Sequence, residues 1–264
     1  MARGDWQPGQ YERFRAQRSQ PFWDLAALLD TSAPIGRAAD LGCGSGSLTA
    51  ELAERLGIDE IVGVDNSPNM LADAESVVSD RVRFEHGDIA EWTAAGEYDL
   101  VFSNAALQWV PDHPAVLARW VAALRPGGRI AVQVPANSDH ASHRASIHVA
   151  HREPFLSALD GDPPPDPVEA NVLAPEEYSA LLVELGMREP RVRLYVYPHE
   201  MPSSASVVEW TKGTSLTRFF KRLPDELHEP FVDAYRDELL ARIGDHEPYL
   251  FTFKRILMSG RTNG

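Results

Sequence analysis

The stretch Ala39-Asp40-Leu41-Gly42-Cys43-Gly44-Ser45-Gly46 sets an aspartate directly before a glycine-rich turn. Glycines there let the backbone approach a ligand closely and bend sharply into a helix. A dinucleotide site uses the spacing G-x-G-x-x-G and rests a pyrophosphate on the helix N-terminus. Here the spacing is G-x-G-x-G, with Ser47 where the third glycine of that pattern would fall. An acid beside a pyrophosphate is repulsive, whereas a ligand carrying an ammonium or a sulfonium is attracted. For this stretch taken alone, a glycine-rich turn with no ligand is the alternative.

Two further acids follow. Asp65 ends the next apolar run, where a carboxylate can accept both ribose hydroxyls in a bidentate grip. That residue alone suits a nicotinamide nucleotide as well. Asp88, in Gly87-Asp88-Ile89, can accept from an adenine amino group, with Ile89 or Met70 packed on the ring faces. Read singly, Asp65 is equally a solvated acid and Asp88 equally a helix N-cap. Three acids at the tips of three successive strands mark the crevice where open α/β sheets bind ligands.

The elements that must position these acids are legible as an alternation of strand-like and helical runs, the pattern of a parallel sheet covered on both faces. Strands are predicted at 37–41, 60–64, 81–85, 98–103 and 129–134, the fourth nearly all apolar as a doubly covered strand should be. Helices are predicted at 47–56, stopped by Gly57, at 68–77, capped by Ser67, and at 114–124, closed by a turn at Arg125-Pro126-Gly127-Gly128. Residues 7–29 read as one or two helices broken around Pro21. After Pro135 the rhythm changes. Residues 136–172 are rich in His, Asp and Pro, and Asp162-Pro-Pro-Pro-Asp-Pro167 reads as a rigid loop. A helix at 176–185, a strand at 191–197, helices within 203–244 and a last strand at 249–258 complete the chain. The expected organisation is one domain over 1–264. It has an N-terminal segment (1–30) over the site, a ligand-binding core (37–135), and a helical or loop cap from 136–172 and 203–244.

Taken together, DLGCGSG, GVDNSPNML, HGDI and FSNAALQWVPD resemble the class I S-adenosylmethionine-dependent methyltransferases. That resemblance implies a Rossmann-like α/β fold with a seven-stranded sheet in the order 3-2-1-4-5-7-6, its seventh strand antiparallel. It also implies S-adenosylmethionine as cofactor. Asp40, Gly42, Gly44 and Gly46 would then surround the methionine end, Asp65 and Asn66 the ribose, and Asp88 and Ile89 the adenine. Asn104 and Ala105 would line the floor beneath the sulfonium. Enzymes of this class that methylate adenine, cytosine or glutamine nitrogen carry an (Asn/Asp)-Pro-Pro-(Tyr/Phe) run at the fourth strand. Ser103-Asn104-Ala105-Ala106 lacks it.

Over more of its length the chain is similar to the trans-aconitate methyltransferase family. The shared residues are Asp5-Trp6, Tyr11, Phe14, Gln17-Arg18-Ser19, the run from Asn104 to His113, Val132-Gln133-Val134-Pro135, His199-Glu200-Met201-Pro202-Ser203 and Glu209-Trp210. By that likeness the reaction is esterification of one carboxylate of a small polycarboxylic acid. A carboxylic acid of pKa about 4 is already ionised at pH 7, so no general base, triad or metal is expected, only positioning. The histidines include no H-E-x-x-H pattern, and His148 with His151 reads as part of a polar loop.

The formal net charge of −14 disfavours nucleic acid and anionic membrane as partners and requires a local basic pocket for an anionic substrate. Candidates are Arg18 first, then Arg144, Arg152, Arg218 and Arg255. Binding of the cofactor's own carboxylate is the alternative role for Arg18, and Tyr11 lies about two turns earlier on a similar face. Trp109 is either a pocket wall or core, while Trp210 and Phe219-Phe220 read as core of the cap. A single cysteine, no signal-type segment and no apolar span lead to the expectation of a cytoplasmic protein. Three rivals stay open at this stage: methyl esterification of a malonyl-acyl carrier protein, a nicotinamide dehydrogenase, and a binding protein of this fold without turnover.

Overall fold

The computed structural model describes residues 15–264, with side chains from residue 19 onward. Tyr11 therefore lies outside the described residues, as does the side chain of Arg18. A seven-stranded sheet has the order β3-β2-β1-β4-β5-β7-β6, as expected. Its strands are β1 (Arg37–Leu41), β2 (Glu60–Asp65), β3 (Val82–His86), β4 (Tyr98–Asn104), β5 (Leu124–Pro135), β6 (Arg188–Met201) and β7 (Tyr249–Arg261). The first five pair in parallel, and β7 runs antiparallel to β5.

Helices α1 (Arg15–Ala26), α2 (Ser47–Leu56), α3 (Pro68–Ala74) and α4 (His113–Ala122) accompany the parallel half. Alternate strand residues serve opposite faces. Leu100, Phe102 and Leu257 join Phe22, Leu25 and Leu52 on one face, while Val101, Val132 and Met258 join Leu117, Trp120 and Tyr178 on the other. Gly57 ends α2 in the left-handed conformation, and the Ser67 side chain accepts from Met70 N at the start of α3.

Helix α1 does not break at Pro21. Phe22 and Leu25 are buried against the sheet, with the Phe22 ring 4.8 Å from that of Phe102, and this anchoring carries the helix across the lost hydrogen bond. The segment Arg125-Pro126-Gly127-Gly128 is not a turn before β5. It lies within that strand as an irregularity where the register against β4 shifts between Tyr98 and Leu100. A proline in a central strand is tolerated at such a bulge.

The chain forms two compact units. One comprises 18–136, 171–195 and 255–264, and includes α8 (Pro175–Glu184). The described part of the other comprises 137–170 and 196–254. It holds α5 (Ala141–Ala150), α6 (Phe155–Ala158), α7 (Pro167–Asn171, shared at its end), α9 (Ser206–Lys212), α10 (Thr217–Phe220) and α11 (His228–Ile243). Helix α5 replaces the loop expected around His148 and His151. It buries Ser142, Ala145, Ser146, Val149 and Ala150, a helical stripe of small residues that packs on α11. His148 is thus helical and His151 is the C-cap of α5. Trp210, Phe251 and Phe253 form an aromatic cluster in this unit, and Phe219 stacks near Phe231. Among the described residues no helix is long and apolar enough to cross a membrane.

Candidate active site

The three acids stand at the carboxyl ends of β1, β2 and β3, but their surroundings differ. Asp40 is buried between ladder partners Gly63 and Phe102 and accepts from Thr49 Oγ1 at 2.5 Å. Burial raises its pKa to about 7; Thr49 pulls it down and Asp65 pushes it further up. Asp65 is half-buried, with Oδ2 accepting Gly44 N–H at 2.9 Å and Oδ1 accepting Ser67 N–H at 2.9 Å. Each oxygen keeps a second lone pair for an incoming hydroxyl. Asp88 is exposed and accepts Ala90 N–H at 2.9 Å, the local cap, while Ile89 beside it is buried. Asn66 is exposed and Met70 half-buried on the first turn of α3.

Two glycines of the turn are required for different reasons. At Gly42 (φ +82°) a Cβ would sit 2.1 Å from Ala106 Cβ, so this position brings the β1 turn against the segment after β4. At Gly44 (φ +58°) a Cβ would meet nothing within 4 Å. Its N–H is held by Asp65, and the space above it stays open to a ligand. Gly46 is the N-cap of α2 and has no side chain to cap with, so the first-turn N–H groups receive no side-chain cap.

The segment after β4 is strained and pinned. Ala105 adopts φ +54°, a left-handed conformation that costs a non-glycine residue about 1–2 kcal/mol. Its N–H donates to Gln133 O at 3.0 Å, and its O accepts from Gln108 Nε2 at 2.7 Å. Asn171 Nδ2 donates to Gln108 O at 2.9 Å, and His113, buried, bridges Leu107 O and Tyr178 Oη at 2.9 and 2.5 Å. Ser103 Oγ donates to Leu41 O at 2.7 Å and ties the β4 tip to the β1 tip. Trp109 is 57 % exposed, which removes the core alternative for that ring. Asn104 Oδ1 is buried with no hydrogen-bond partner among the described residues. Open space at Gly44, spare lone pairs on Asp65 and this unpaired acceptor fit a polar, positively charged ligand.

The second unit carries its own polar core. Arg218 Nη1 donates to Asp166 Oδ2 at 3.3 Å and Nη2 to Ser146 Oγ at 3.2 Å, leaving Nε buried with no partner among the described residues. His143 Nδ1 lies 2.5 Å from the same Asp166 oxygen, with Asn137 Nδ2 2.9 Å from His143 Nε2. Arg152 Nη1 is 3.7 Å from Glu238, and Arg144 is exposed on α5. Arg255 pairs in register with Pro135 in the first unit. From the sequence, Gln108, His113 and Gln133 stood out only as parts of family-shared runs with no role assigned, and Asp166 and His143 were given none. Gln133 carried a signal, as the one polar residue in the run Ile130-Ala131-Val132-Gln133-Val134. Asp166 was hidden among prolines.

A family described as a methyltransferase domain matches residues 38–128. Trans-aconitate 2-methyltransferase of Deinococcus radiodurans is 42% identical over 254 residues, covering 96% of each chain. The enzyme of the same name from a Mycobacterium species (strain KMS) is 37% identical over 263 residues, covering 97% of this chain and 99% of that one. Among solved structures, the YcgJ protein of Bacillus subtilis is similar with a TM-score of 0.58 at 16% identity, over 92% of this chain and 99% of that one. Haemonchus contortus phosphoethanolamine N-methyltransferase 2, in complex with S-adenosyl-L-methionine, has a TM-score of 0.54 at 19% identity, over 92% of this chain and 53% of that one. The structures share the fold. The sequence likeness runs end to end, through both units, and by it the chain belongs to the trans-aconitate 2-methyltransferase family.

Proposed function

We propose that this chain transfers a methyl group from S-adenosylmethionine to one carboxylate of trans-aconitate, giving a monomethyl ester. What supports this most is a 42% identity to a relative of that name across 96% of both chains, joined to a crevice lined by carboxylates and unpaired acceptors. S-adenosylmethionine supplies the electrophilic methyl. The chain's task is to hold a carboxylate oxygen in line with it and to exclude water. Opposite charges are consumed as the bond forms, so a site that replaces water with fixed dipoles favours the reaction. No proton moves, so no general base is needed.

The chain's acidity opposes a polyanionic substrate, which needs a positive anchor. Arg18 lies one turn before Phe22 on α1, and Asn104 lies two residues beyond Phe102 on the same strand face. Phe22 and Phe102 are in contact. Arg18 therefore belongs to the helix packed over this strand end, and we assign it to a non-reacting carboxylate. Arg18→Ala is expected to raise the KM for trans-aconitate about 10- to 100-fold, the loss of one charge-assisted pair, without changing cofactor affinity. An unchanged KM removes Arg18 from the pocket. Trp109 remains available to wall the substrate, and Arg218 retains only its Nε uncommitted.

Asp40 gives a second expectation. Its pKa of about 7 in the free protein means that about half of the molecules carry this proton at pH 7. A cationic ligand end nearby favours the carboxylate, so binding should release about half a proton at pH 7 and tighten as pH rises from 6 to 8. Calorimetry in buffers of different ionisation heat reads this directly. Binding with no proton linkage would show that Asp40 does not meet the cation.

The whole proposal is tested by incubating labelled S-adenosylmethionine with a panel of small di- and tricarboxylates and scoring base-labile methyl ester. Trans-aconitate is expected to be the best acceptor. Tight cofactor binding with no ester on any acid would overturn it.

A further inference from the structure

Gln133 is 1% exposed near the end of β5, between its ladder partners Asn104 of β4 and Leu257 of β7. The face it occupies is otherwise apolar: Leu100, Phe102, Ala131 and Leu257 share one buried cluster. A strand covered on both sides places aliphatic side chains there, and a buried amide without a partner is destabilising. Yet Gln133 Nε2 has no hydrogen-bond partner among the described residues. The same holds for Asn104 Oδ1 and Gln108 Oε1. All three belong to one junction, since Ala105 donates to Gln133 O and accepts from Gln108 Nε2. The unpaired donor of Gln133 and the unpaired acceptor of Asn104 belong to ladder partners at the ends of β5 and β4, and Gln108 joins them through the backbone of Ala105. The acceptors complement positive charge and repel a carboxylate, which leaves Gln133 as the donor an anion finds there.

Resting on the methyl transfer proposed above, we propose that Gln133 holds the reacting carboxylate, donating Nε2–H to the oxygen that does not attack. A neutral donor suits this position better than an arginine. A guanidinium on the same carboxylate would draw charge from the nucleophile and repel the sulfonium it must approach. The amide orients without opposing either. In the step itself, the free carboxylate oxygen forms the O–CH3 bond while the CH3–S bond breaks. The electron pair stays on sulfur as a neutral thioether, and no proton changes place. The oxygen held by Gln133 becomes the ester carbonyl and still accepts the same hydrogen bond. Cationic groups are thereby reserved for the carboxylates that do not react, so Gln133 fixes which carboxyl is methylated.

Gln133→Met keeps the length of the side chain and removes the donor. We expect unchanged S-adenosylhomocysteine affinity, a melting temperature equal to or above that of the parent, a kcat lowered about 10- to 100-fold, and little change in KM. Gln133→Glu adds a pH signature. Burial holds the new carboxyl protonated at low pH, where its O–H replaces the donor, and its ionisation then repels the substrate. At saturating S-adenosylmethionine, the kcat/KM of this variant for trans-aconitate, divided by that of the parent, should fall between pH 6 and 8. A Gln133→Met enzyme within twofold of the parent, or a Gln133→Glu profile parallel to the parent's, overturns the assignment and leaves the methyl transfer standing. A parent enzyme that forms no ester on any acid overturns both.

Discussion

Asp65→Ala is expected to weaken S-adenosylhomocysteine binding about 100- to 1000-fold by calorimetry. The ribose assignment proposed for Asp65 gives its carboxylate two tasks. Toward the protein, Oδ2 fixes the Gly44 N–H and Oδ1 the Ser67 N–H, so one side chain sets the shape of the glycine turn and the cap of α3. Toward the ligand, the remaining lone pair on each oxygen can accept one ribose hydroxyl. Hydrogen bonds to a charged group contribute about 1.5–3 kcal/mol each, and 1.4 kcal/mol is tenfold in affinity. Losing two, partly offset by water, gives the stated range. Asp65→Asn retains one acceptor oxygen and should fall between the parent and the alanine variant. If Asp65→Ala binds as tightly as the parent, the ribose assignment is wrong and the residue serves only the turn.

The parallel half of the sheet was legible because each strand there is bounded by chemistry that forces its end. Asp40 and Asp65 close short apolar runs, Asp88 follows a short alternating one, and Gly57 and the Ser67-Pro68 pair punctuate the helices between. The boundaries that went astray are those where distant packing decides. Pro21 reads as a breaker, yet Phe22 against Phe102 is invisible in a linear sequence. Arg125-Pro126-Gly127-Gly128 has turn composition, but a Cβ on Gly128 would lie 2.9 Å from Tyr98 O, and that close approach of β4 makes the segment part of a bulged strand. Helix α5 escaped because its buried stripe, Val149 apart, is Ser and Ala rather than Leu or Ile, and only the partner helix α11 gives it meaning. In the site, positions at strand tips could be named from spacing alone. Their division of labour could not. The buried, Thr49-bound Asp40 and the exposed, self-capping Asp88 look alike in sequence and differ in what surrounds them.

Asp166→Ala is expected to destabilise the unit it belongs to by about 3–5 kcal/mol, the cost of stranding a buried charge. Asp166 and Arg218 are 1% and 8% exposed at their side chains, so neither can turn to water when its partner is lost. Asp166 also accepts from Val168 N–H at 2.9 Å and faces His143, so its removal unpairs several groups at once. Burial alone would raise the Asp166 pKa, but the His143 hydrogen bond and the Arg218 charge outweigh it and hold it at about 2. A folded-state pKa below the unfolded value of 3.8 means the carboxylate stabilises fully above that value. The contribution is lost as pH falls from about 4 to about 2. Denaturant unfolding of the parent and Asp166→Asn should therefore differ widely at pH 7 and converge toward pH 2. A charge-free pair, Asp166→Leu with Arg218→Met, separates the cost of a stranded charge from the value of the ion pair. It should recover much of the stability lost in Asp166→Ala, because apolar groups of similar volume often replace a buried ion pair without loss. If the double variant is no more stable than Asp166→Ala, the penalty lies in packing around the 163–166 proline segment rather than in the unpaired guanidinium.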